Sequence, residues 1–102
     1  MRSHELAGKI GGGDAPVVID VRTGIEFRSG HIPGALHVPT WKILSGQGAL
    51  PSDKGTELVI LCELGPRAVI ARLLIRLLGY RNTSLLDGHM AGWRRNGLPL
   101  EL

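Results

Sequence analysis

Glu57-Leu58-Val59-Ile60-Leu61-Cys62-Glu63-Leu64-Gly65-Pro66-Arg67, continued by Ala68 to Leu78, changes its periodicity partway along. Glu57 to Leu61 is a short, almost wholly apolar run, the pattern of a central strand buried on both faces. It ends directly at Cys62. Glu63-Leu64-Gly65 must then turn the chain sharply, and Gly65 tolerates the unusual φ that such a turn demands. Pro66 is pre-shaped for the first turn of a helix. From Pro66 to Leu78 the spacing predicts that helix, with Val69, Ile70, Leu73, Leu74, Leu77 and Leu78 as its wide apolar face. Arg72 and Arg76, four apart, fall on its wetter side, and Gly79 is a natural stop.

On either side the same alternation repeats. Val17-Val18-Ile19-Asp20-Val21 is a second buried strand, Ala35 to Val38 a brief one, and Thr83-Ser84-Leu85-Leu86 another. Thr23 to Ser29 and Thr40 to about Leu44 read as short helices, separated by a turn at Gly30-His31-Ile32-Pro33-Gly34. Gly88 to Arg95 supplies a final helical turn or two. Ser3-His4-Glu5-Leu6-Ala7 with Lys9-Ile10 opens the chain as a helix capped by Ser3 and stopped by Gly11-Gly12-Gly13. Strands alternating with helices at this spacing predict a small α/β domain with a mostly parallel sheet. No internal repeat and no long linker interrupts it.

Composition agrees with one such core. The chain has 102 residues, 43% hydrophobic and 21% charged, with 15 glycines and 6 prolines in no G-x-y repeat. That is a globular composition, with glycine and proline marking turns. Twelve Lys and Arg against nine Asp and Glu give a formal charge of +3. The arginines are dispersed, only Arg94-Arg95 being adjacent, and no basic stretch is interleaved with aromatics as on a nucleic-acid surface. The single cysteine excludes an internal disulfide framework, a cysteine-based zinc site and a two-cysteine redox motif. The opening residues lack a secretory pattern and no apolar run reaches transmembrane length, so no membrane partner and a cytoplasmic location are expected.

Cys62 therefore carries the functional question. In open α/β sheets ligands bind beyond the carboxyl ends of the strands, where Cys62 stands. A tight turn into a helix start aims several backbone N–H groups at one spot, and these, with the helix dipole and Arg67, favour a thiolate or a bound anion. Taken from its type alone, the same residue also reads as a small buried hydrophobe.

Cys62-Glu63-Leu64-Gly65-Pro66-Arg67 has the C-x-x-G-x-R form of a rhodanese active-site loop. Ile19-Asp20-Val21-Arg22, Glu26-Phe27 and Gly30-His31-Ile32-Pro33-Gly34-Ala35, with Pro39 following, resemble that family's D-V-R…E-F…G-H-I-P-G-A…P signature. Leu86-Asp87-Gly88, Trp93 and Gly97-Leu98-Pro99 resemble its close. The likeness runs from about Val17 to Pro99. It implies one rhodanese-like domain over residues 1–102, a small, mostly parallel central sheet flanked by helices on both faces. It also implies a thiosulfate or thiol sulfurtransferase. The Cys62 thiolate takes the outer sulfur of thiosulfate or another sulfane donor and passes it from a persulfide to cyanide or a thiol, in ping-pong order. No cofactor and no metal are implied.

The resemblance also assigns supporting roles. Arg67 draws in the anionic donor, and the loop backbone of Glu63, Leu64, Gly65 and Ala68 cradles the terminal sulfur. Asp20, Arg22, His31 and Gly34 are expected as structural support, His37 and His89 without a functional partner, and Trp41 and Trp93 as packing residues. Three departures bear on rate and donor preference: Pro66 lacks an N–H, Glu63 puts a carboxylate beside the nucleophile, and Ala68 stands where serine is frequent. Cysteine phosphatases place five residues between cysteine and arginine, whereas four stand here, a smaller cradle. The other reading is a non-catalytic or sulfur-carrying module that binds a protein partner. A wide, apolar, weakly charged mouth would favour protein donors, and a narrow basic one thiosulfate.

Overall fold

The computed structural model describes residues 1–102. Nine elements follow in order: α1 (Ser3–Gly11), β1 (Val17–Asp20), α2 (Gly24–Arg28), β2 (Leu36–His37), α3 (Thr40–Leu44), β3 (Leu58–Leu61), α4 (Pro66–Leu77), β4 (Thr83–Leu85) and α5 (His89–Arg95). The strands form one four-stranded sheet in the order β2-β1-β3-β4, every pair parallel. β1 lies in register with β3 from Val17 opposite Leu58 to Asp20 opposite Leu61. All carboxyl ends therefore point the same way, and Cys62 emerges at the centre of that edge.

Side chains alternate across a strand, so β3 serves two cores. Leu58, Ile60 and Cys62 face one side with Ile19, Val21, Ile43 of α3, and Ala68, Ala71 and Ile75 of α4. Val59 and Leu61 face the other with Val18, Leu6 of α1, and Met90 and Trp93 of α5. Every residue of β3 is fully buried, which explains the unbroken apolar run. No helix is long and apolar enough to cross a membrane.

Three expectations are corrected. α4 lies where expected, but it turns Ala68, Ala71 and Ile75 to the sheet. Val69, Ile70, Leu73, Leu77 and Leu78 are exposed, and Leu74 is half-buried. Alanine lets the helix axis come close to the strands, whereas a leucine row would hold it away. Arg72 is correspondingly half-buried, donating to the Thr83 hydroxyl and carbonyl, each at 3.1 Å. At the start of the chain Arg2, not Ser3, is the cap residue of α1; Ser3 is already helical, and its hydroxyl donates to the Asp87 carbonyl at 3.4 Å. Trp93 is fully buried, with its indole N–H on the Pro99 carbonyl, but Trp41 is 59% exposed and packs little.

Candidate active site

The loop from Cys62 to Arg67 joins the central strand to α4. Gly65, at φ 131°, is the cap residue and Pro66 is the first residue of the helix. That φ is one an L side chain rarely adopts, and a Cβ on Gly65 would also come within 3.2 Å of His89 Nε2. The turn brings the Gly65 N–H back to Cys62 Sγ at 3.0 Å. The N–H groups of Glu63, Leu64, Arg67 and Ala68 donate to no protein acceptor. Free donors at a helix start are what P–O or S anions exploit, since they carry the positive end of the helix dipole. Cys62, itself fully buried, lies beneath an open pocket of about 300 Å³ that Glu26, Glu63, Leu64, Pro66 and Arg67 line.

α5 braces the loop from behind. The Met90 and Ala91 N–H groups donate to the Cys62 and Glu63 carbonyls at 3.1 and 3.2 Å. His89 is the one non-glycine residue with positive φ, at 52°, and its buried Nδ1 accepts the Cys62 N–H at 3.3 Å. An accepting Nδ1 puts the proton of the neutral ring on Nε2. Burial pushes the His89 pKa below its ordinary value, partly opposed by Asp87. His89 was expected to lack a partner; the fold gives it one 27 residues away in sequence.

Arg67 does not stand free in the pocket. Its two terminal nitrogens hold both carboxylate oxygens of Glu26, at 2.6 and 3.0 Å. Glu26 is in turn fixed by a capping box: its Oε1 accepts the Thr23 N–H at 3.0 Å while Thr23 Oγ1 accepts the Glu26 N–H at 3.4 Å. The hydrogen bonds from Arg67 lower the Glu26 pKa from 4.5 to about 2, and Glu26 raises that of Arg67. Glu63 turns from the thiol to Arg94 and, at 3.4 Å, Arg22. The charges around the mouth are thus paired among themselves.

Asp20 and Arg22 lie buried beneath this rim. Arg22 Nε and Nη2 donate to the Asp20 oxygens at 3.0 and 2.9 Å, and Nη2 also reaches the Gly30 carbonyl at 2.9 Å. Together they tie the end of β1 to the Gly30 turn and to Glu63. In that turn, His31 Nδ1 bonds the Phe27 carbonyl at 2.9 Å with its ring stacked on Phe27, and the Gly34 N–H donates to Glu101 at 3.1 Å. His37 Nε2 bonds the Arg22 carbonyl at 2.8 Å. No three His, Cys, Asp or Glu side chains converge on a common point. Of the residues without an assigned role in sequence, Glu26 had a legible signal in Thr23-x-x-Glu26; His89 and Arg94 had none.

Comparison with known proteins agrees with this fold. The model of the rhodanese-like domain matches residues 3–96. The chain belongs to the rhodanese-like domain family. This rhodanese-like domain is 31% identical over 98 residues to a sulfurtransferase of Allochromatium vinosum, covering 96% of this chain and 90% of that one. It is 33% identical to an HTH-type transcriptional regulator of Mycobacterium tuberculosis, over 82% of this chain but only 37% of the regulator. In structure it is similar to the Alr3790 protein from Anabaena sp., with a TM-score of 0.88 and 26% identity, over 99% of this chain and 81% of that one. This chain thus spans nearly the whole of one relative and little more than a third of another.

Proposed function

We propose that this rhodanese-like domain is a sulfurtransferase working through a persulfide on Cys62. The observation that carries the reading is the Gly65 N–H on Cys62 Sγ at 3.0 Å, inside a loop with further free amides. The Gly65 N–H is thereby placed to steady negative charge on the sulfur that attacks and later leaves. In the first half-reaction the Cys62 thiolate attacks the outer sulfur of the donor. The S–S bond breaks, and its electron pair leaves with sulfite from thiosulfate or with a thiolate from a persulfide. Cys62 then carries a terminal sulfur anion, and the amides of Glu63, Leu64, Gly65, Arg67 and Ala68 are the groups available to hold it. In the second half-reaction a thiolate or cyanide attacks that terminal sulfur, and Cys62 leaves as thiolate. Neither step moves a proton to a histidine base. A reduced Cys62 is required, which suits the reducing cytoplasm.

The mouth discriminates among donors. With Arg67 held by Glu26 and Glu63 by Arg94, little positive charge is free to bind a dianion, while Leu64 and Pro66 present apolar surface. That favours persulfides of thiols or proteins over thiosulfate, and with them the sulfur-carrying side of the partner-binding reading. The test compares kcat/KM for thiosulfate and for glutathione persulfide. The persulfide is expected to be preferred by about tenfold or more, the scale of one unformed charge-assisted contact. Cys62→Ser is expected to abolish both. Turnover surviving in Cys62→Ser would defeat the proposal, and a thiosulfate preference would defeat the donor assignment.

A further inference from the structure

α4 has a second apolar face. Opposite Ala68, Ala71 and Ile75, the side chains of Val69, Ile70, Leu73 and Leu77 are 54, 53, 61 and 74% exposed. Their three- and four-residue spacing makes them one ridge. Leu64, 76% exposed, extends apolar surface to the rim of the Cys62 pocket. Between the ridge and edge strand β4 runs a groove of about 150 Å³ lined by Val69, Leu73 and Leu85, with Arg72 and Arg76 in its wall. Residues 64–86 contain four arginines and no Asp or Glu. A contiguous apolar strip with a charged border is the mark of an interaction surface.

We infer that this face docks a protein partner presenting an amphipathic helix, its apolar ridge bordered by carboxylates. The inference rests on the sulfur-transfer reading in one respect: the docked partner is a sulfur donor or acceptor, whose reactive sulfur reaches Cys62 past Leu64. Charge selects the occupant. Arg76 is exposed and has no acidic partner within the fold, which leaves it free to meet a carboxylate from outside. Antiparallel pairing of α4 with a second copy would set Arg72 and Arg76 against the same two residues, like charge on like. The groove beside the ridge takes a side chain from a helix, which a lipid surface does not offer.

A displayed library of helical peptides selected on the full-length protein tests this. Enriched peptides are expected to carry leucine-type residues at i, i+3/i+4 and i+7 with Asp or Glu beside them. Leu73→Glu/Leu77→Glu and, separately, Arg76→Glu, all at exposed positions, are expected to weaken their binding about tenfold or more with circular dichroism unchanged. Enriched peptides without acidic bias, or binding that both variants leave intact, would overturn the inference. So would a wild-type dimer in sedimentation that Leu73→Glu/Leu77→Glu dissociates, or stronger binding to phosphatidylcholine–phosphatidylserine vesicles than to any peptide. A selected peptide with a terminal cysteine is then mixed with sulfur-loaded protein, and faster sulfur uptake than by its Leu-to-Ser analogue is expected. Intact peptide binding without any Cys62 persulfide would fault the transfer chemistry and leave the docking face standing; a persulfide with no α4-dependent binding would do the reverse.

Discussion

Glu26 and Arg67 form the pair that bears most directly on donor choice in the proposed chemistry, because each withdraws the other from solvent-borne ions. Glu26→Gln separates the two duties of that side chain. Glutamine still completes a capping box at this position but no longer neutralises Arg67. KM for thiosulfate is expected to fall about threefold to tenfold, with kcat little changed, as a free guanidinium gains the anion. An unchanged or higher KM in steady-state kinetics would contradict the pairing's role. At His89 the backbone and the side chain can be separated in the same way. Glycine relieves the positive φ but removes the acceptor for the Cys62 N–H, whereas asparagine tolerates that φ and offers Oδ1 in place of Nδ1. His89→Asn is expected to load sulfur within about twofold of wild type, and His89→Gly about fivefold to tenfold more slowly, the worth of one hydrogen bond. The pH dependence has a definite sign. Burial lowers the folded pKa below the 6.5 of the free side chain, so the unfolded state binds the proton first. The contribution of neutral His89 to stability is complete above 6.5 and is lost as pH falls toward the depressed folded value. Urea midpoints measured from pH 7.5 to 5 are expected to decline less for His89→Asn than for wild type.

Among the elements, α4 separates what packing requires from what composition suggests. Ala71→Leu pushes extra volume between helix and sheet and is expected to cost about 1–3 kcal/mol in urea unfolding. Leu77→Ala removes a larger side chain from an exposed position and is expected to stay within about 0.5 kcal/mol. The opposite order would mean that the leucine row, not the alanines, meets the strands. Periodicity could not have decided this, because both faces of α4 are apolar at helical spacing and only contact with β3 distinguishes them. The strands were more legible. β3 is buried on both faces and wholly apolar, and β1 is apolar up to Asp20, whose charge Arg22 answers within the fold. The cysteine loop was legible on local grounds, since Gly65 meets the positive φ of the turn and Pro66 suits the first turn of α4. Glu26–Arg67 and His89–Cys62 join residues far apart in sequence, and nothing local announces them.

Across the whole molecule, the parallel sheet sets all strand ends on one edge and gives the central position to Cys62. α2 brings Glu26 to the rim, α5 brings His89 and its first amides behind the loop, and the buried Asp20–Arg22 pair links β1 to both neighbouring turns. One thiol suffices for the proposed chemistry, because sulfur transfer needs a single nucleophile. The decisive measurement is the intact mass of the reduced protein after incubation with glutathione persulfide or thiosulfate, for wild type and Cys62→Ser. Wild type is predicted to gain one sulfur atom, lost again on adding cyanide, while Cys62→Ser gains none. A wild-type protein that acquires no sulfur from either donor, or a Cys62→Ser protein that acquires it equally, would contradict the account.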